Sequence, residues 1–209
     1  MTEYYIPTRA SETEFTEKRS RFLGHVWRVE SEAEARARIE EMKKRHYDAR
    51  HNCWCYRLRE GGVERYSDDG EPQGTAGIPM LEVFRREGVT DMVCVVTRYF
   101  GGVLLGAGGL LRAYTKSAKD ALDAAGIAVV RPWVEAEVPC SYAMAERLKN
   151  EVVALGGQVA GMDYAAGVTI KALVPREGFE AFKARIFDVS NGSVTALAVG
   201  ETHRAVRIK

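Results

Sequence analysis

No sign of charge dominates these 209 residues: 30 Lys and Arg stand against 29 Asp and Glu, a formal net charge of +1. A strongly basic nucleic-acid binder would carry a clear excess, so bulk electrostatic attraction is argued against while a local patch is not. Long hydrophobic runs are missing too, and no segment approaches the ~18 consecutive apolar residues of a membrane span. The first residues, MTEYYIPTRA, lack the basic start and apolar stretch of a secretion signal. Cysteine is sparse and scattered, at Cys53, Cys55, Cys94 and Cys140. That spacing is no disulfide framework, and a chain of this length needs none. The expectation is a cytosolic protein with reduced thiols. Internal repeats and low-complexity segments are absent.

The common catalytic signatures are missing as well. A phosphate-binding Walker loop needs G-x-x-x-x-G-K-[ST]; Gly101 and Gly106 have the spacing, but Ala107 and Gly108 stand at the Lys and Ser/Thr positions. A dinucleotide fingerprint starting at Gly106 fails at Leu111, where the third glycine belongs. No G-x-S-x-G elbow and no zinc-binding helix motif occurs. His51, Cys53 and Cys55 alternate on one strand face, but zinc would need a fourth ligand, and buried inert cysteines are the simpler reading.

What is present is an ordinary globular composition, 46% hydrophobic and 28% charged, enough for one large domain or two small ones. The opening segment reads as a strand, a basic turn around Lys18, Arg19 and Arg21, and a second strand, FLGHVWRV. Ser31 with Glu34 three residues later forms a capping box, and Ala35, Ile39 and Met42 make one apolar stripe of a helix. HNCWCYRL is a strand with Cys53 and Cys55 on one face and Trp54 and Tyr56 on the other, and VERYS is its hairpin partner. MLEVFRREG reads as a short helix, and MVCVV suits a central strand buried on both faces. After the glycines, LLRAYTKSAKDALDAAG is helical, with Leu110, Leu111, Tyr114, Ala118, Ala121 and Leu122 on the apolar side.

Pro132 marks a boundary. Beyond it the pattern is strand, helix, two strands, helix, strand, the βαββαβ order of a ferredoxin-like fold. The expected domains are residues 1–134 and 137–209, and the expected class is α+β with an α/β sandwich followed by the ferredoxin-like unit.

Three stretches, EKRSRFLG, SDDGEPQGTAGIP and VVTRYFGGVLLGAGGLLRAY, resemble the YigZ/IMPACT family along essentially the whole chain. The resemblance implies an N-terminal domain like the second domain of a small-subunit ribosomal protein. It implies a C-terminal domain like the last domain of elongation factor G. Eukaryotic relatives are regulators of translation, which makes the ribosome, RNA or a translation factor the expected partner. The resemblance carries no settled activity for bacterial members.

Two glycine-bearing loops are the candidate surface. A strand ending in glycines and feeding a helix presents free N–H groups and a positive dipole end. Gly101, Gly102, Gly106, Gly108 and Gly109, with Arg112 and Lys116, are candidates for holding an anion, against the simpler reading of close packing. Asp68, Asp69, Gly70, Glu71, Gln73, Gly74 and Thr75 form a loop longer than a plain connection needs. Its three carboxylates could hold Mg²⁺ beside a phosphate, although Asp-Asp-Gly is also turn chemistry. Arg98, Tyr99 and Phe100 are a candidate RNA platform of cation and aromatics. The leading reading is a non-catalytic binding protein linked to translation that recognises RNA or a protein. The rival is a phosphate- or nucleotide-binding enzyme using residues 101–109, with Mg²⁺ at Asp68, Asp69 or Glu71.

Overall fold

The capping box works in the computed structural model, which describes residues 3–209. Ser31 Oγ accepts from the Glu34 N–H at 3.2 Å, and Glu34 reaches back to the Glu30 N–H at 2.8 Å. Helix α1 (Glu32–Arg45) starts there and buries Ala35, Ile39 and Met42. It follows β1 (Tyr4–Pro7), β2 (Ser11–Glu17) and β3 (Ser20–Arg28). Next come β4 (His51–Arg57), β5 (Glu64–Ser67), α2 (Gly77–Arg86), β6 (Met92–Tyr99) and α3 (Gly106–Ala125). Then β7 (Ile127–Cys140), α4 (Tyr142–Ala154), β8 (Gln158–Tyr164), β9 (Val168–Pro175), α5 (Phe179–Val189) and β10 (Leu197–Arg207) complete the chain.

The first sheet runs β2-β3-β6-β4-β5 with every pair antiparallel. Strand β6 is central, and helices cover both its faces. Cys53, Cys55, Cys94 and Val96 pack with α2 and α3, whereas Tyr56, Val93 and Val95 pack with α1 and the flanking Trp54. The period-two separation of Cys53 and Cys55 from Trp54 and Tyr56 is therefore real. Three elements depart from the sequence reading. The single strand expected before the basic turn is two, β1 and β2. Helix α3 begins at Gly106, so Gly108 and Gly109 lie inside it, and Leu111 is 46% exposed rather than part of the apolar side, where Ala113 and Ser117 stand instead. Helix α2 begins at Gly77, three residues before MLEVFRREG.

Val130–Arg204 make a second contact unit, and Tyr4–Val129 with Ala205–Lys209 make the first. No linker separates them in the chain, because β7 runs unbroken through Pro132. In the second unit β10 pairs with β7, β7 with β9 and β9 with β8. That is the ferredoxin-like order, with Val138, Leu148, Ile170, Phe182 and Ile186 among its core. The two-domain α+β class holds. The expected boundary between residues 134 and 137 remains a proposal, and its residues 1 and 2 lie outside the described chain. Among the described residues no helix is long and apolar enough to cross a membrane.

The α1 side of the first sheet carries two histidines. His25 on β3 is 1% exposed and faces Glu12 of β2 at 3.3 Å; His46, just past α1, accepts or donates at 2.8 Å to the Tyr99 hydroxyl. Burial lowers the pKa of both, with Arg45 adding repulsion and Glu12 opposing; Asp48 also opposes, and Arg21 adds to, the lowering at His46. The unfolded chain, with histidines near ~6.5, thus binds more protons just below that pH, so stability is full above it and falls as pH drops through it. Urea midpoints should fall from pH 7.5 to 5.5, less steeply in His25→Gln. A flat or rising midpoint contradicts this account.

Candidate functional site

The loop SDDGEPQGTAG is built around Asp68. Its carboxylate accepts from the N–H groups of Gly74 at 2.8 Å, Ala76 at 3.0 Å and Gly77 at 2.8 Å, closing the loop and capping α2. Asp69 turns at φ 44°, and its carboxylate accepts from the Asn52 N–H at 2.7 Å. Thr75 is buried and donates its hydroxyl to the Pro72 carbonyl at 2.6 Å. The carboxylates therefore point to different partners and do not converge as Mg²⁺ ligands. Among the described residues no group of three or more His, Cys, Asp and Glu side chains is placed to hold a metal ion.

Glu71 has a separate task. It is 7% exposed, and its Oε1 accepts from Arg98 Nη1 and from the Tyr114 hydroxyl, both at 2.7 Å. Sheet register explains the meeting: Arg98 of β6 lies opposite Phe22 of β3 on one side and His51 of β4 on the other. Arg98 is 5% exposed, with its guanidinium 5.5 Å from the ring centres of both Phe22 and Phe100. Its Nη2 donates to Ser20 Oγ at 3.3 Å, while Nε has no partner. Burial holds the Tyr114 phenol up, so it stays a neutral donor. Burial likewise raises the Cys53 thiol, which donates to the Asp68 carbonyl at 2.9 Å and is no nucleophile. His51 Nδ1 lies 2.8 Å from the Asp69 carbonyl, which makes Nδ1 the protonated nitrogen and turns Nε2 to within 3.8 Å of Glu71.

Two clefts flank the start of α3. The first, of about 360 Å³, has Arg50, His51, Glu71, Arg98, Phe100 and Gly106 in its wall. The second, of about 240 Å³, has Phe15, Lys18, Gly109, Arg112 and Lys116. Leu105 lines both. The structure thus brings Gly70, Glu71, Arg98, Phe100 and Gly106 together and puts Gly109, Arg112 and Lys116 in the neighbouring cleft. Asp68, Asp69 and Thr75 brace the loop from within. Gln73 is exposed, and Gly74 lines a third groove with Ile78 and Leu111. Gly101 packs against the turn at Arg19 and Ser20, and Gly102 is open.

Tyr99 leaves the platform expected for residues 98–100. Alternation along β6 sends it to the α1 face, where its hydroxyl meets His46 and, at 3.1 Å, Asp48. Arg50 and Leu104 were not singled out from the sequence. Arg50 carries no local signal, since only the β4-β6 pairing places it beside Phe100, with 5.7 Å from guanidinium to ring centre.

Comparison with known proteins places this geometry among relatives. Residues 18–122 match the model of the Impact N-terminal domain, and residues 138–193 match a domain of unknown function, DUF1949. The chain is 36% identical to "IMPACT family member YvyE" of Bacillus subtilis (strain 168), covering 90% of this chain and 88% of that one. It is 34% identical to "IMPACT family member YigZ" of Escherichia coli (strain K12), over 88% and 92%. "Protein IMPACT homolog" of Dictyostelium discoideum is 38% identical over 48% of this chain and 30% of its own length. A crystal structure titled as a hypothetical protein superposes with a TM-score of 0.60 at 32% identity, over 96% of this chain and 98% of that one.

Proposed function

We propose, from the premise that this chain belongs to the IMPACT family, that it is a non-catalytic binding protein linked to translation, and that it holds single-stranded RNA across the start of α3. The single observation that carries this reading is the pair of clefts sharing Leu105, with cations in the wall of each. Arg50, Lys18 and Arg112 pair with no carboxylate among the described residues, so their charge is available to phosphates. Phe100, 39% exposed, lines the first cleft with the Arg50 guanidinium 5.7 Å from its ring centre, an aromatic and a cation side by side. The near-zero net charge leaves such binding to a local patch and not to bulk attraction. The link to translation is drawn from the eukaryotic relatives.

Fluorescence anisotropy with a labelled single-stranded RNA tests the binding. The double variant Lys18→Ala/Arg112→Ala should lose about tenfold in affinity, and the slope of log K against log salt should shrink by about 1.4, the value for two phosphate contacts on a single strand. An absence of binding at low salt, or an unchanged slope in the double variant, overturns the RNA reading. In a low-salt sucrose gradient of lysate the protein should travel with ribosomal fractions; its confinement to the top of the gradient overturns the link to translation.

A further inference from the structure

We propose that the first cleft reads an RNA base, accepting one with an exocyclic amino group (cytosine, adenine or guanine) and refusing uracil, through one free carboxylate oxygen of Glu71. The proposal rests on the RNA reading above and gives each of the two clefts its own task.

The two oxygens of Glu71 have different fates. Oε1 accepts from Arg98 Nη1 and from the Tyr114 hydroxyl, both at 2.7 Å. Oε2 has no hydrogen-bond partner among the described residues, although the Glu71 side chain is only 2% exposed. Buried atoms that lack a partner elsewhere, such as Arg98 Nε and Ser117 Oγ, are closed off from solvent. Oε2 is not, and Glu71 lines the first cleft. A carboxylate oxygen can only accept, and the two bonds on Oε1 fix the direction in which its neighbour points. The cleft therefore presents a buried, oriented acceptor that calls for an N–H or O–H donor.

The rest of the wall selects what carries that donor. A phosphate would meet the free oxygen as like charge against like charge. Pro72, Phe100, Leu104 and Leu105 instead offer apolar surface, with Leu104 82% and Phe100 39% exposed. An unstacked base lays its faces on such surface and turns its polar edge to a fixed partner. The cleft, of about 360 Å³, is in the range of small-ligand sites. The phosphate beside the base has a separate place, since the second cleft sets Lys18, Arg112 and Lys116 against Glu17 alone. Leu105 lies in both walls, so base and backbone would occupy neighbouring clefts.

Cytosine and uracil have nearly the same shape and differ at this edge. Cytosine N4 donates, as carboxylates that read cytosine require. Uracil has a carbonyl oxygen in that position, and its one donor, N3–H, stands between two carbonyls. Uracil in the cleft would strip water from Oε2 and leave it unpaired, and such a penalty rejects a ligand more strongly than a lost contact does.

Fluorescence anisotropy on the full chain compares three single-stranded RNAs of equal length: oligocytidylate, oligouridylate, and oligocytidylate bearing two methyl groups on each N4. The first should bind about tenfold tighter than the other two, with the same slope of log K against log salt, because the phosphate contacts do not change. Glu71→Gln should bring oligocytidylate and oligouridylate to within about twofold at an unaltered slope, its urea midpoint reporting that the fold is kept. A preference for oligocytidylate that persists in folded Glu71→Gln overturns the proposal. If that variant does not fold, the wild type decides, since full affinity for the N4-dimethylated strand overturns it equally. Equal binding of oligocytidylate and oligouridylate, both weakened in Lys18→Ala/Arg112→Ala, leaves the RNA reading and overturns the base pocket. Binding of no RNA at low salt overturns both.

Discussion

Gly101→Ala should destabilise the first unit by about 3 kcal/mol or more, lowering its melting temperature by about 6–12 °C. A Cβ at residue 101 would lie 2.0 Å from the Arg19 carbonyl carbon, 2.1 Å from its oxygen and 2.5 Å from the Ser20 nitrogen. These are backbone atoms, so no rotamer change relieves the clash. The turn they belong to cannot shift cheaply either, because Lys18 and Arg19 already hold positive φ values of 45° and 68° without being glycine. Ser20 is fixed as well, since its hydroxyl accepts from both the Gly101 N–H and Arg98. Gly102→Ala is the control. It has φ 83° but nothing within 4 Å of a new Cβ, so only backbone strain applies, about 1 kcal/mol. Calorimetric melting that resolves the two units separates these effects. Equal losses in the two variants would mean that close approach to Arg19 is not why residue 101 is glycine.

Arg98→Ala should cost a similar 3–5 kcal/mol, by a different route. Removing the guanidinium strands the Glu71 carboxylate, 7% exposed, with the Tyr114 hydroxyl as its nearest remaining donor. Most of that loss is the penalty of an uncompensated buried charge and not the value of the pair itself. The double variant Arg98→Met/Glu71→Leu should therefore recover about 2 kcal/mol or more relative to Arg98→Ala, despite removing both partners. Urea unfolding of the wild type, Arg98→Met, Glu71→Leu and the double variant gives the interaction energy, with Arg98→Ala measured alongside. A double variant no more stable than Arg98→Ala would show that the ion pair is not what Arg98 supplies to the fold.

Local patterns carried much of the architecture. Ser31 and Glu34 start α1 because a cap and a carboxylate three residues apart satisfy orphan N–H groups regardless of what packs outside. Cys53 and Cys55 part from Trp54 and Tyr56 because successive side chains of any strand leave on opposite faces. The same rule, applied to Arg98, Tyr99 and Phe100, would have separated Tyr99 from the other two. Leu111 falls outside the expected apolar side because the buried face of α3 runs through Leu110, Ala113, Tyr114 and Ser117, with small residues at the close contacts, and Leu111 lies beyond its edge.

The sequence by itself determined the family, most of the helices and strands, and the two glycine-bearing loops as places of interest. Only the tertiary structure decided what each residue in those loops does. Asp68, Asp69 and Glu71 are near neighbours in the chain, yet one closes a loop and caps α2, one holds the start of β4, and one is buried against Arg98. Gly101 answers to Arg19, and Arg50 comes beside Phe100 only through the pairing of β4 with β6. Backbone periodicity is a local property that a few residues impose on themselves. Charge pairing, close approach and cleft walls depend on which strands become neighbours and in what register, and that is settled by burial across the whole sheet.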